Sequence, residues 1–471
     1  MLNVVIGEFN LFLVCFLFFQ PPQAPTRKTF KLVAQTQAEE DAYNYVTERV
    51  TEKPTGIVGS VAHLMKGGLG GGILGGHVAW KLGGLWVAVP TTIICGMYIG
   101  FCLYSLVVSG QVLCRRTRIP SMTYPDIGEA AFACHRNPNI RKRSKQFRYV
   151  IDTMLCTELF GSCAAYQIII AKSIKQLVEN TPKTSIDGIQ GYPSLRLYLA
   201  IMIIPIIIIC LIRHLKYLAP LSIVANFVIL FCIIVAVYYA FINNPRFEGM
   251  APYTSLHNFF RFIGMIMFSM SCVGVVIPVE NNMKEPAKFG FVLFLGMALI
   301  IGCTFLVSFF GYAGYLDRAE APITVNFPLD GLGKTLKICI AVMIYVTHGL
   351  NFWVPFSTVF VYIRPRINPD KLVIMELFYR ALFVLIIGVT AIIFPTINSL
   401  MGFLGAFCLS NLAFIYPNII YLLVIWERPG LGKLRWRLWV AILMICVGIF
   451  VCIIGSLVTA VDLVKTALGI H

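Results

Sequence analysis

The sequence predicts an all-α polytopic membrane protein: eleven transmembrane helices in a five-plus-five inverted repeat, with helices 1 and 6 broken. Three observations carry that reading. The 471 residues are 58% hydrophobic and 13% charged, with a mean hydropathy of +0.80. Spans of about 20 apolar residues, enough for a hydrocarbon core of about 30 Å, recur along the chain. Two of them carry a flexible break, at Gly67-Gly68-Leu69-Gly70-Gly71-Gly72 and at Ser271-Cys272-Val273-Gly274. The apolar runs are continuous rather than alternating, which excludes a β-barrel.

The expected spans lie near residues 57–82, 85–111, 147–179, 197–212, 217–242, 257–279, 290–315, 335–362, 372–394, 397–424 and 436–463. Residues 1–56 form an N-terminal cytoplasmic tail. The first repeat is 57–242, the second is 257–424, and 436–463 is an accessory eleventh helix. The third span outruns its apolar core, so Lys172 to Glu179 is expected to rise into the aqueous phase. Val4 to Phe19 is apolar but short, carries Glu8 and lacks a basic start. It reads as an interfacial segment or a variant start rather than a signal peptide.

Glycine costs about 1 kcal/mol per residue in a helix interior. Five glycines among six residues should therefore unwind the first span. Unwound backbone survives at membrane depth only where it is buried in protein or lines a wet cavity. Two such breaks, opening two halves of similar length, point to the substrate site of a secondary transporter. Tight packing of helices on small residues is the plainer explanation. It suffices for Gly110 or Gly302 but not for the density of Gly67–Gly72. At Ser271–Gly274 the two explanations are balanced until Pro278 and Glu280 are added.

The formal net charge is +16. Arg115, Arg116, Arg118, Arg136, Arg141, Lys142, Arg143, Lys145 and Arg148 all fall between the second and third spans. Further cations fall in alternate loops, at Arg213 and Lys216, Lys284 and Lys288, Arg364 and Arg366, and Lys433 to Arg437. That alternation is the positive-inside signal, and it places the N-terminus in the cytoplasm. Charges so dispersed over short loops argue against a nucleic-acid partner. Most of the fifteen cysteines lie within spans, as small polarizable packing residues. The expected exterior loops 180–196, 243–256 and 316–334 contain none, so no exterior disulfide is available. No pair has metal-ligand spacing, so neither a metal nor another cofactor is expected. No Asn-x-Ser/Thr acceptor occurs.

Ala62-His63-Leu64-Met65-Lys66-Gly67-Gly68-Leu69-Gly70-Gly71-Gly72-Ile73-Leu74-Gly75 resembles the first-span signature of the proton-coupled amino acid transporters, a branch of the amino acid/auxin permease family. Pro278-Val279-Glu280-Asn281-Asn282-Met283-Lys284 resembles the end of their sixth span. Smaller matches run from Gly161 to Tyr166, at Arg213 and Leu215, at Asn326-Phe327-Pro328, and at Leu350 with Val354-Pro355. The resemblance covers residues 57 to about 430 in order.

The resemblance implies the five-plus-five fold with an eleventh helix, and symport of protons with small neutral amino acids. Amides freed at Gly67, Gly68, Gly70, Gly71 and Gly72 could then bind a substrate carboxylate at the positive end of a half-helix. Carbonyls near Ser271 and Gly274 could accept from its ammonium. Val273 and Tyr166 would limit its size. His63 matches the histidine linked to proton coupling, and histidine is the side chain whose ordinary pKa lies nearest physiological pH. A neutral His63 bonded between helices is the plainer alternative. Lys66 and Pro278 read as structural or gating residues, and Glu280 as an anchor for the inner end of span six beside Lys284. His348 departs from a tyrosine-like residue and reads as packed. Glu158 is a minor proton-relay candidate. Where the family commonly has Phe-Glu-Gly, this chain has Met270-Ser271-Cys272.

The leading function is transport of small neutral amino acids, with protons as the driving ion. A sensor that binds the amino acid and signals with little flux is the alternative. No Ser/His/Asp set or metal cluster supports an enzyme. No ring-forming repeat supports a channel. Plasma and lysosomal membranes both fit, and Tyr43 to Val46 is a candidate sorting motif. The sequence leaves the oligomeric state open.

Overall fold

The computed structural model describes residues 30–34, 36–49, 54–181, 193–213, 219–426 and 428–468, with 219–226 as backbone alone. The apolar segment Val4 to Phe19 lies outside them. Among the described residues the secondary structure is helical apart from one isolated bridge between Thr55 and Met283.

A short helix α1 (Gln37–Ala42) precedes the first span. That span is α2 (Ile57–Gly68), a 3-10 turn Gly71–Gly75, and α3 (Gly76–Gly83). Span two is α4 (Leu85–Thr117). The loop helix α5 (Tyr124–Ala133) follows, and then span three, α6 (Ser144–Glu179). Next come α7 (Leu195–Cys210) and α8 (Ala219–Ile242). The sixth span is α9 (Leu256–Ser269) plus α10 (Val273–Asn281). Then follow α11 (Phe289–Tyr315), α12 (Gly331–Ile363) and α13 (Leu372–Ile393). The tenth span is α14 (Ile397–Leu404), a π-helical stretch Gly405–Ile415, and α15 (Tyr416–Ile425). The eleventh is α16 (Trp436–Phe450), a π-helical stretch Val451–Gly455, and α17 (Ser456–Leu468).

Helices of this kind satisfy their backbone groups internally, the condition for crossing lipid. Eight are long and apolar enough to cross. The broken pair Ile57–Gly68 and Gly71–Gly83, bent by 47°, makes a ninth. The expected fourth and fifth spans coincide with the shorter apolar helices Leu195–Cys210 and Phe227–Ile242. The surface is that of a protein in lipid. Ile94, Ile204, Phe294, Ile374 and Leu443 point outward, while Ser60, Thr92, Gln167 and Thr304 are buried.

Local chemistry sets the boundaries. Asp330 caps α12, its carboxylate accepting from the Gly333 amide at 2.7 Å. That amide, and next the Tyr239 hydroxyl, hold the Asp330 carboxyl below the usual carboxylate range. The loop helix α5 begins with a capping box. Thr123 accepts from the Asp126 amide, and Asp126 accepts from the Thr123 amide. Asp126 and Glu129 then pair with Arg148 of α6.

The Lys172 to Glu179 end of α6 packs against the protein, with Lys175 and Gln176 fully buried. Lys175 pairs with Glu179 at 2.7 Å, and Gln176 donates to the Val325 carbonyl. The cause is tertiary: the segment Ile323–Phe327 folds back over this end. One expectation is corrected: Glu280 holds the C-terminal end of span six against Arg49 at 3.0 Å rather than beside Lys284. Gln111 also donates to it, at 3.0 Å. Lys284 is exposed.

The described part of the N-terminal tail is folded onto the helix ends. Arg49 also donates to the Pro120 carbonyl at 2.7 Å. Glu40 is buried against Arg116 and Arg428. Thr55 exchanges backbone hydrogen bonds with Asn282 and Lys284, joining the start of the first broken span to the end of the second.

Candidate functional site

The two breaks meet. Helix α2 runs through Gly68, and Leu69 donates to the Met65 carbonyl before the chain turns. Helix α9 stops at Ser269 and α10 starts at Val273, so the second break is Met270–Cys272. The Ser269 hydroxyl donates to the Gly72 carbonyl at 2.9 Å and so ties one break to the other.

Glycine at the first break serves close approach. A Cβ on Gly71 would sit 2.5 Å from Tyr166 Cε1, and one on Gly72 would sit 2.9 Å from the Phe268 carbonyl. The Tyr166 hydroxyl is thereby brought to the Gly71 amide, which donates to it. Asn351 Nδ2 of α12 donates to the same hydroxyl at 3.2 Å. A freed amide, a phenol and a carboxamide therefore converge at the break.

These groups border a cavity of about 590 Å³ between α2, α6, α10 and α12. Its wall includes His63, Lys66, Gly67, Gly68, Gly70, Gly71, Gly72, Tyr166, Ser271, Gly274 and Pro278, all singled out in the sequence. It extends down to Thr55 and Asn282, at the end that carries the N-terminal segment. The opposite end is sealed. His77 Nε2 donates to the Glu320 carbonyl at 2.9 Å, and Lys172 Nζ donates to the Ala321 carbonyl at 2.8 Å. Lys337 donates to the Phe327 carbonyl at 3.1 Å.

Val273 is not part of this wall. It is buried in the first turn of α10 and turns away, while Cys272, Gly274 and Val275 face the cavity. Glu280 lies below the cavity in its ion pair. His348 is buried 3.2 Å from Gln167 and does not line the cavity. Three wall residues were missed or underrated. Glu158 lines the cavity and accepts from the Ser162 hydroxyl at 3.2 Å. Asn351 and Thr347 of α12 carried no local signal, although Leu350 beside them did. Among the described residues no cluster could hold a metal.

A helical bundle with two broken spans around a central cavity defines a membrane transporter of the broken-helix class. The chain belongs to the transmembrane amino acid transporter protein family, whose model matches residues 53–461. It is 34% identical over 420 residues to a Drosophila melanogaster protein described as proton-coupled amino acid transporter-like protein pathetic, covering 88% of this chain and 86% of that one. It is 20% identical over 391 residues to the probable amino acid transporter skat-1 of Caenorhabditis elegans, covering 80% and 83%. Mhp1, a nucleobase-cation-symport-1 family transporter, shares the fold at 12% identity. Its closed form with bromovinylhydantoin bound aligns with a TM-score of 0.51, covering 88% of this chain and 92% of that one. Its inward-facing form gives 0.53, covering 88% and 94%. The family and these relatives are transporters, not enzymes.

Proposed function

We propose that this protein is a secondary active transporter of small neutral amino acids, driven by proton symport with alternating access. The observation that carries the reading is the cavity itself, with the glycine backbone of the first break on one side and the backbone of Ser271 in the second on the other. A zwitterion needs that pair of opposite contacts. Backbone groups supply them with no charged side chain, so the substrate's own side chain is selected by the space left over. With Tyr166 and Phe268 against the glycines, that space favours small substrates.

Loop charge puts the N-terminal face in the cytoplasm. The cavity reaches that face and the other end is sealed, so this conformation is open to the inside. A cycle would break the seal around Glu320–Phe327 and close the path between Thr55 and Asn282. His63, exposed on the cavity wall, is the first-span group through which protons reach the site. Plasma and lysosomal membranes both suit this chemistry.

The test is uptake of labelled glycine, alanine and proline into proteoliposomes, with and without an inward proton gradient. Saturable accumulation only with the gradient is expected. His63→Ala should lose that accumulation while remaining folded. Binding without accumulation would contradict the transport reading and favour a sensor. Normal gradient-driven uptake by His63→Ala would remove the coupling role of that residue.

A further inference from the structure

Glu158 is the one carboxylate among the described residues that line the cavity. It is half-buried, open to the cavity and without an ion pair closer than 4 Å among the described residues. Its hydrogen-bond partner is the Ser162 hydroxyl, one helical turn on. One further turn brings Tyr166. Residues 158, 162 and 166 therefore form a stripe on one face of α6, rising about 12 Å at 1.5 Å per residue. The top of that stripe touches the Gly71 amide, where the substrate carboxylate is placed. The bottom is an ionisable acid.

An ionised acid inside a membrane bundle is costly unless it is compensated, and such residues mark ion and proton pathways. The titratable and charged groups on the cavity side of Glu158 are few. They are His63 and Lys66 from α2, Tyr166 from its own helix and Cys272 from the second break; Cys163 and Cys408 are near Glu158 but buried behind the wall. The cavity-facing residues of α8 and α12 are uncharged: Ile229, Met343, Ile344, Thr347, Leu350 and Asn351. The second break contributes Ser271 and Cys272 to the wall and no carboxylate.

We propose that Glu158 holds the coupled proton while substrate is bound. This rests on the proton-symport reading above. The carboxylate takes one proton when the cavity opens outward and becomes a neutral acid, hydrogen-bonded to Ser162. The loaded site closes around that neutral acid without burying its charge. When the cavity opens inward, the proton passes to cavity water. The ionised carboxylate then returns with the Lys66 ammonium in the same space. Ser162 and Tyr166 stand on one face of α6 between the acid and the substrate's proposed place, and both border the same cavity. His63, nearer the bulk, delivers and removes protons.

The test uses the full chain in proteoliposomes, with whichever of labelled glycine, alanine and proline the wild type accumulates. Glu158→Gln mimics the protonated acid. It should keep exchange of labelled for unlabelled amino acid within about threefold of wild type, while gradient-driven accumulation falls at least tenfold. Its exchange should no longer depend on internal pH. Glu158→Asp should restore accumulation in part. Accumulation by Glu158→Gln at the wild-type level would overturn the proposal. So would loss of exchange together with accumulation in a variant that runs as a single monodisperse species, because the carboxylate would then hold substrate. If the wild type itself fails to accumulate any of the three, it is the symport reading that fails.

Discussion

The two breaks reach the same geometry by opposite means. The first discards side chains: Gly70, Gly71 and Gly72 leave bare backbone, and neighbours have moved in until no Cβ fits at Gly71 or Gly72. The second keeps its side chains. Met270 and Cys272 are buried as anchors, and Gly274 faces open space. The first break is thus closely packed backbone and the second has room beside it; on the proposed function the first would be a mould for a ligand's charged end and the second a hinge. Selection by shape should reside mainly at the first, and tolerance to change at the second.

The largest effect is expected where the second break is held from below. Glu280 and Arg49 are both nearly fully buried, with side-chain exposures of 5% and 4%. Removing one partner of a buried pair costs about 3–5 kcal/mol. Arg49→Ala should therefore lower the melting temperature in detergent markedly, with some loss of folded yield. An unchanged melting curve would show that the hinge stands without its anchor.

Gly71→Ala comes next. Overpacking of this kind costs about 1–3 kcal/mol, and any relief must push the Tyr166 ring from the site. Uptake should fall about tenfold or more, by the usual conversion of 1.4 kcal/mol per decade. Gly274→Ala should be the smallest change. Nothing lies within 4 Å of the new methyl, so stability should hold. Its one consequence should be a narrower cavity, read as a weaker preference for proline relative to glycine in competition assays. Equal damage from the two substitutions would erase the contrast between mould and hinge.

The breaks were legible because glycine density is a local signal. Their details were not. The second break ends two residues earlier than its glycine suggests, since α10 resumes at Val273 and rotates that side chain away from the cavity. The span boundaries followed from hydropathy, yet the helix at Tyr124–Ala133 was passed over although Thr123 and Asp126 form a capping box. Glu280 was matched with a nearby lysine, while its partner lies 231 residues away in sequence. The burial of Lys175 and Gln176 had no local signal, because the segment that covers them is distant in sequence. Glu158 looked minor because its weight comes from being the lone acid on a wall built by several distant helices.

The most direct measurement is a cryo-EM structure of the protein saturated with alanine. The account predicts density for the amino acid between the breaks, its carboxylate within hydrogen-bonding distance of the Gly71 amide and its ammonium facing the Ser271 carbonyl. Density elsewhere, or an undisturbed Tyr166–Gly71 contact with the cavity empty of ligand, would contradict it.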